Sequence, residues 1–270
     1  LRPIIEGQPA NAPAGSNEQK VGDFYRAYLD VEASERAALA PAKPVLEAIA
    51  KARTHEEIAA LSGRPELPLR SLLRVGVTID QKNPARYIIA IGQAGLGLPE
   101  REYYLKTDAS FVEIRDKYRA HIARMLTLAG EKNADAQAQS ILDLETQIAK
   151  IHWPIAKRRE RELTYNLRTR EELDKLAPGY PWQARLAPGG IETQREFVVR
   201  ELDAVEGLAK LYRTVPVEQW RSYLTFHFLS GAADVLPKAF DDEDFEFFGK
   251  TLNGQQEQRE RWKGAIGAVD

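Results

Sequence analysis

The chain has 270 residues and a formal net charge of −2, a near-neutral balance that gives it no bulk attraction for nucleic acid or an anionic membrane. Hydrophobic residues make up 43% and charged residues 29%, ordinary values for a globular protein with ample chain to bury a core. Cysteine is absent, which excludes disulfides and thiolate metal sites, and no window approaches the roughly 18 uninterrupted apolar residues of a membrane helix.

Leu1, Ile4 and Ile5 have i, i+3, i+4 spacing and read as the tail of a helix. Gln8 to Gln19 is rich in Pro, Gly, Ala, Asn and Ser and reads as a loop. Val21, Phe24, Tyr25, Tyr28 and Leu29 predict a core-facing helix. Pro41 and Pro44 punctuate before a second helix from about Val45 to Ala52. Thr54 and Glu57 form a capping-box pattern that opens a short helix ending at Gly63. The period then changes. Leu73 to Ile79 alternates, as does the β-branched run Arg86 to Ile91, and Asp80 to Pro84 reads as the turn between them. This predicts one β-hairpin near residues 73–91, with little other strand.

Helix dominates from there on. Ser110 and Glu113 suggest a capping box ahead of Phe111, Ile114, Tyr118, Ile122 and Met125. Ile141, Leu144, Ile148, Ile151 and Ile155 repeat as a packed seam, which Pro154 should kink or split. Thr169 with Glu172 predicts a further capping box, and Phe197 to Tyr212 reads as helical. Pro216 fits the first position of the next helix, carrying Trp220, Leu224 and His227 or Phe228 on its buried face. Asp241 to Asp244 precede Phe245, Phe247 and Phe248 as the acidic start of a helix. Trp262, Ile266 and Val269 form an apolar stripe still running where the sequence stops. Because helical patterns are cut at both ends, the chain is expected to be an interior segment of a longer protein.

The residues capable of chemistry are scattered. His55-Glu56-Glu57 begins like a zincin motif, but Ala59 stands where the second histidine is needed for two imidazoles to reach one metal. His55 therefore reads as a helix-start residue beside Thr54. His121, His152 and His227 have no histidine one turn away; His152 and Glu145 are spaced to share a face, as in a structural contact. Gly92 to Gly97 has the order G-x-x-G-x-G and runs into Pro99, so it does not fit a dinucleotide loop. Asp241 to Asp244 lacks the glycine turn and the distal glutamate of a calcium loop. Lys157 to Glu162 is basic but laced with glutamates, and reads as a solvated helix face. Ser62-Gly63 and Ser230-Gly231 have no nucleophile-elbow context. The residues alone offer no catalytic centre.

One block is specific. Gly95-Leu96-Gly97-Leu98-Pro99-Glu100-Arg101-Glu102-Tyr103-Tyr104-Leu105, placed after a hairpin, resembles a signature of the neprilysin family of zinc metalloendopeptidases. Weaker blocks resemble the same family in the same order: Val21 to Asp30, Asp80 to Asn83 with Tyr87 to Gln93, and Leu142 to Ala149. Arg158-Arg159 with Thr164-Tyr165-Asn166, Trp220 to Phe228, Lys238 to Phe240, Phe247 to Asn253 and Arg261 to Lys263 complete the series. The resemblance implies a mainly α fold, in which residues 1–270 are the substrate-capping region of a two-lobed peptidase. In the family a catalytic lobe carries His-Glu-x-x-His and zinc, with the motif glutamate as general base. That motif occurs nowhere in these residues, so no catalytic, metal or substrate residue is carried over. Arginines that hold the substrate carboxylate in some relatives belong to a segment before Leu1.

The resemblance further implies zinc in the complete enzyme, a C-terminal catalytic portion as partner, peptide substrates, and a bacterial chain placed in the periplasm or outside the cell. The alternative is a non-catalytic helical binding module of peptidase ancestry. A hydrolase built on a carboxylate pair from Asp241 to Asp244 ranks last, for want of a partner base.

Overall fold

The computed structural model describes residues 5–7, 12–67 and 69–269. The expectations for Leu1, Ile4 and residues 8–11 lie outside them, as does the Val269 side chain. Two compact units emerge, Val45–Phe228 and the pair of segments Leu1–Pro44 with Leu229–Asp270. The fold is mainly α with a small sheet.

The unit Val45–Phe228 carries the sheet. Strands β1 (Leu73–Asp80) and β2 (Asn83–Gln93) pair antiparallel from Leu73↔Gln93 to Ile79↔Tyr87, as alternation predicts. The sheet does not stop at the hairpin. Its order is β1-β2-β4-β3, with β3 (Asn166–Thr169) antiparallel to β4 (Glu196–Val199), and β4 parallel to β2 through Ile89↔Phe197 and Ile91↔Val199. The expectation that helix begins at Phe197 is corrected: that helix is Leu202–Thr214. Phe197, Val198 and Val199 are all buried, and a short continuous apolar run does not separate strand from helix by period.

Local signals place several helices. Both capping boxes are formed: Thr54 and Glu57 open His55–Gly63, and Thr169 and Glu172 open Arg170–Leu176. The helix Ala109–Leu128 differs from expectation. Its N-cap is Asp108 and no side chain caps it; Glu113 instead pairs with Lys117, one turn on, at 2.7 Å. This helix packs on Ala134–Ile151, burying Tyr118, Ile122 and Met125 against Ile141, Leu144 and Ile148. Pro154 splits the seam as expected, and a short helix resumes at Ile155–Arg158.

In the other unit, Ser16 caps helix Asn17–Leu29 by accepting from the Gln19 amide. That helix packs on Arg261–Val269. Ile5, Tyr25, Tyr28 and Ala265 form a buried cluster with Val21, Leu29, Trp262 and Ile266 against it. Trp262 and Ile266 are therefore partly covered by residues of this chain. The acidic run is also corrected. The helix begins earlier than expected, at Lys238 after Pro237, with Asp241 in its first turn, and it runs on from Asp244 into a π-helical segment Phe245–Leu252. Lys238 pairs with Asp242 one turn on, and Arg261 lies 3.6 Å from Asp241.

Candidate functional site

The signature block is a turn clamped over a buried carboxylate. β2 delivers the chain to Gly95, whose φ of +98° favours glycine and where a Cβ would lie 2.8 Å from Leu72 Cα. At Gly97 a Cβ would collide with the Tyr118 hydroxyl. The close approach has a purpose: the Gly97 N–H donates to Glu145 Oε2 at 3.1 Å. Tyr104 returns from the end of the block to donate to the same carboxylate, while its oxygen accepts from the Leu98 N–H at 2.8 Å. Tyr118 donates to Glu145 at 3.1 Å. His227 Nε2 lies 2.7 Å from Glu145 Oε1, and since a carboxylate only accepts, that nitrogen carries the proton. Tyr223 ties the turn down by donating to Gly95 O at 2.9 Å.

Glu145 is fully buried. Burial pushes the His227 imidazole down, against the pull of Glu145. Burial, then the charge of Glu145, holds the Tyr104 and Tyr118 phenols well above their usual range. With donors on both oxygens and no open face, Glu145 is a structural acceptor and not a general base.

A second lock joins two other blocks of the resemblance. Asp80, at the end of β1, accepts from the Lys82 N–H at 2.9 Å, Arg86 Nε at 2.8 Å and the Tyr165 hydroxyl at 2.8 Å. Burial would raise its carboxyl, but these donors and the Arg86 charge bring it down to about 2. The neighbouring Asn166 amide donates to Val199 O at 3.0 Å, stitching β3 to β4.

Beside the signature turn opens a cleft of about 470 Å³. Its lining holds Arg70, Arg74, Arg101, Arg158 and Arg185, with Glu100 as the one acid among the described residues. Arg70 Nη1 donates to Leu96 O at 2.8 Å, Arg101 Nε to Ala149 O at 3.1 Å and Arg158 Nε to Glu201 Oε1 at 3.1 Å. Glu201 is buried and also accepts from the Gln93 N–H at 3.0 Å. Arg185 is 9% exposed, and its Nε has no hydrogen-bond partner among the described residues. His152 reaches Ala94 O at 3.0 Å from the cleft wall. Burial, reinforced by the Arg158 and Arg101 charges, lowers its pKa to about 4. The Gln93 amide brackets Trp153, donating to its carbonyl at 3.2 Å and accepting from its N–H at 2.7 Å.

The sequence candidates are thus dispersed. His55 reaches Val215 O at 2.9 Å and packs on Tyr212, while His121 stacks beside Tyr118 and Phe226. Glu145 and His152 point to different partners, Glu145 finding His227 instead. Among the described residues no three His, Asp or Glu side chains converge as a metal set. Arg158, read as part of a solvated face, is paired to a buried glutamate and lines the cleft. Sequence reasoning missed the cleft, because its five arginines come from four separate stretches between residues 70 and 185, with no local pattern linking them.

Comparison with known proteins gives these residues a setting. The N-terminal model of Peptidase family M13 matches residues 1–270. The zinc metalloprotease Zmp1 of Mycobacterium tuberculosis, in its open state, superposes with a TM-score of 0.92 and 35% identity over 98% of this chain and 42% of that one. PepO from Lactobacillus rhamnosis HN001 shares the fold, with a TM-score of 0.78 at 14% identity over 96% of this chain and 42% of that one. Human endothelin-converting enzyme-like 1 is 27% identical over all of this chain and 37% of its own length. The chain thus spans well under half of the relatives it matches.

Proposed function

The chain belongs to Peptidase family M13, and from that premise we propose that it is the substrate-enclosing N-terminal region of a zinc metalloendopeptidase. The observation that carries this reading is the match to the family's N-terminal model from residue 1 to 270. The 0.92 TM-score against 42% of a zinc metalloprotease supports it. In this reading zinc, its ligands and the general base belong to a C-terminal portion of the same polypeptide, since the 270 residues hold no His-Glu-x-x-His. This region contributes walls: a helical body whose turns are fixed by buried locks, restricting the chamber to peptides short enough to enter. A periplasmic or extracellular bacterial setting follows the family resemblance, and no helix among the described residues is long and apolar enough to cross a membrane.

Covering of Trp262 and Ile266 within the chain favours a second reading, a self-standing helical binding module. The experiment compares the 270-residue chain with the polypeptide extended through the downstream gene, using fluorogenic peptides of graded length. The extended protein is expected to cleave short peptides, lose activity to a chelator, and fall off steeply with length; the 270-residue chain is expected to be inactive and zinc-free. Zinc-dependent cleavage by the 270 residues alone would overturn the division of labour. An extended protein without peptidase activity would leave the binding module.

A further inference from the structure

We propose that the arginine-lined cleft is a binding site for a small multivalent oxyanion, a compact ligand carrying two or more negative charges on phosphate or carboxylate oxygens. The cleft volume, about 470 Å³, lies in the range of small-molecule pockets. Five arginines face one glutamate in the lining, and Arg158 is already paired with the buried Glu201, which leaves three unbalanced positive charges on a chain whose net charge is −2. His152 adds no further charge, because burial keeps it neutral above a pKa of about 4.

The cations are also built in. Arg70, Arg101 and Arg158 each commit one nitrogen to a backbone carbonyl or a buried carboxylate. Each side chain is thereby fixed while other guanidinium N–H groups stay available, so little ordering entropy remains to be lost on binding. Arg185 is a further cation of the lining. It is nine-tenths buried, lines the cleft, and its Nε finds no acceptor among the described residues. Planar guanidinium forks match paired oxygens, and like charges gathered in one cleft favour a multivalent over a monovalent anion. The site needs neither zinc nor the catalytic portion, so its failure and the failure of the peptidase reading are separable.

Calorimetry on the 270-residue chain with pyrophosphate, citrate and acetate tests the proposal. Pyrophosphate is expected to bind saturably with one equivalent, weakening as salt is raised, and acetate at least tenfold more weakly. Citrate equal to pyrophosphate would assign the site to charge multiplicity, and a tenfold preference for pyrophosphate to phosphate geometry. Arg74→Gln, at an exposed position on β1, should weaken pyrophosphate about tenfold, and Arg74→Gln with Arg101→Gln further. Arg36→Gln, an exposed arginine of the helix Val31–Ala37, is the charge-matched control and should leave affinity unchanged. Circular dichroism checks that each variant is folded. Absence of saturable pyrophosphate binding, or equal weakening by Arg36→Gln and Arg74→Gln, would overturn the site.

Discussion

Glu145 shows how far a residue's role lies from its sequence neighbourhood. Its helical spacing points to His152, seven positions on, yet its partner is His227 at a separation of 82 residues. Periodicity reports faces of one helix and is silent on which distant side chain meets a face. Glu145→Ala would strand Gly97 N, Tyr104 and His227 in a dry interior, and is expected to lower stability by roughly 3–5 kcal/mol in urea denaturation. Glu145→Gln should cost less, about 1–3 kcal/mol, because one oxygen becomes an NH₂ facing donors. Gly97→Ala should lose roughly 1–3 kcal/mol through the clash with Tyr118. His152 sets a pH dependence. Its folded pKa of about 4 lies below the ordinary value of 6.5, so the unfolded chain takes up a proton first. Stability therefore falls as pH drops from about 6.5 to 4, by up to roughly 3 kcal/mol from this group. Urea titrations at pH 7, 6, 5 and 4 should show the decline, and His152→Gln should flatten it.

At the scale of elements, what is encoded locally was legible and what is encoded by burial was not. The Thr54 and Thr169 capping boxes and the hairpin are short-range patterns that formed as read. Strands β3 and β4, of four residues each, carry no period long enough to recognise. The acidic run also misled, since Asp241 to Asp244 suit a helix start by charge but lie inside a helical stretch that begins at Lys238 and runs on into the π-helical segment Phe245–Leu252. Thr169→Ala should cost about 1 kcal/mol, read from the shift of the urea midpoint. The hairpin itself leaves Val77, Ile79 and Tyr87 exposed on one face, which by register they share with the buried Ile89. Replacing Val77 and Ile79 by threonine should change stability by less than about 0.5 kcal/mol. The same change should raise the concentration at which the chain stays monodisperse in light scattering.

For the molecule as a whole, blocks read only as a resemblance turn out to touch one another. The turn at Gly95 to Leu105 meets Glu145, Glu145 meets His227, and Asp80 meets Tyr165. Their order along the chain was legible; that they are each other's partners became visible only in three dimensions. Whole-chain averages hid the arginine cleft for the same reason, because a net charge of −2 carries no information on where cations gather. If a C-terminal portion packs on this region, the extended protein should melt higher than the 270 residues alone. Mass action makes any partner that binds only the folded form stabilising, and calorimetric scans of the two polypeptides measure the difference.

The parallel pairing of β2 with β4 has a consequence for biosynthesis. Ile89 and Ile91 must wait for Phe197 and Val199, and the Gln93–Glu201 bond that closes the same region spans 108 residues. At roughly 5–20 residues per second, a ribosome needs on the order of 5–20 s to deliver β4 after β2. Throughout that interval the nascent hairpin forms readily from neighbouring residues, yet the edge of β2 that β4 later covers stays unpaired, with apolar side chains beside it. Such an edge is a template for another strand. The vulnerable species in the life of this protein is thus the half-made chain, and crowding of several ribosomes on one message is where its self-association would begin.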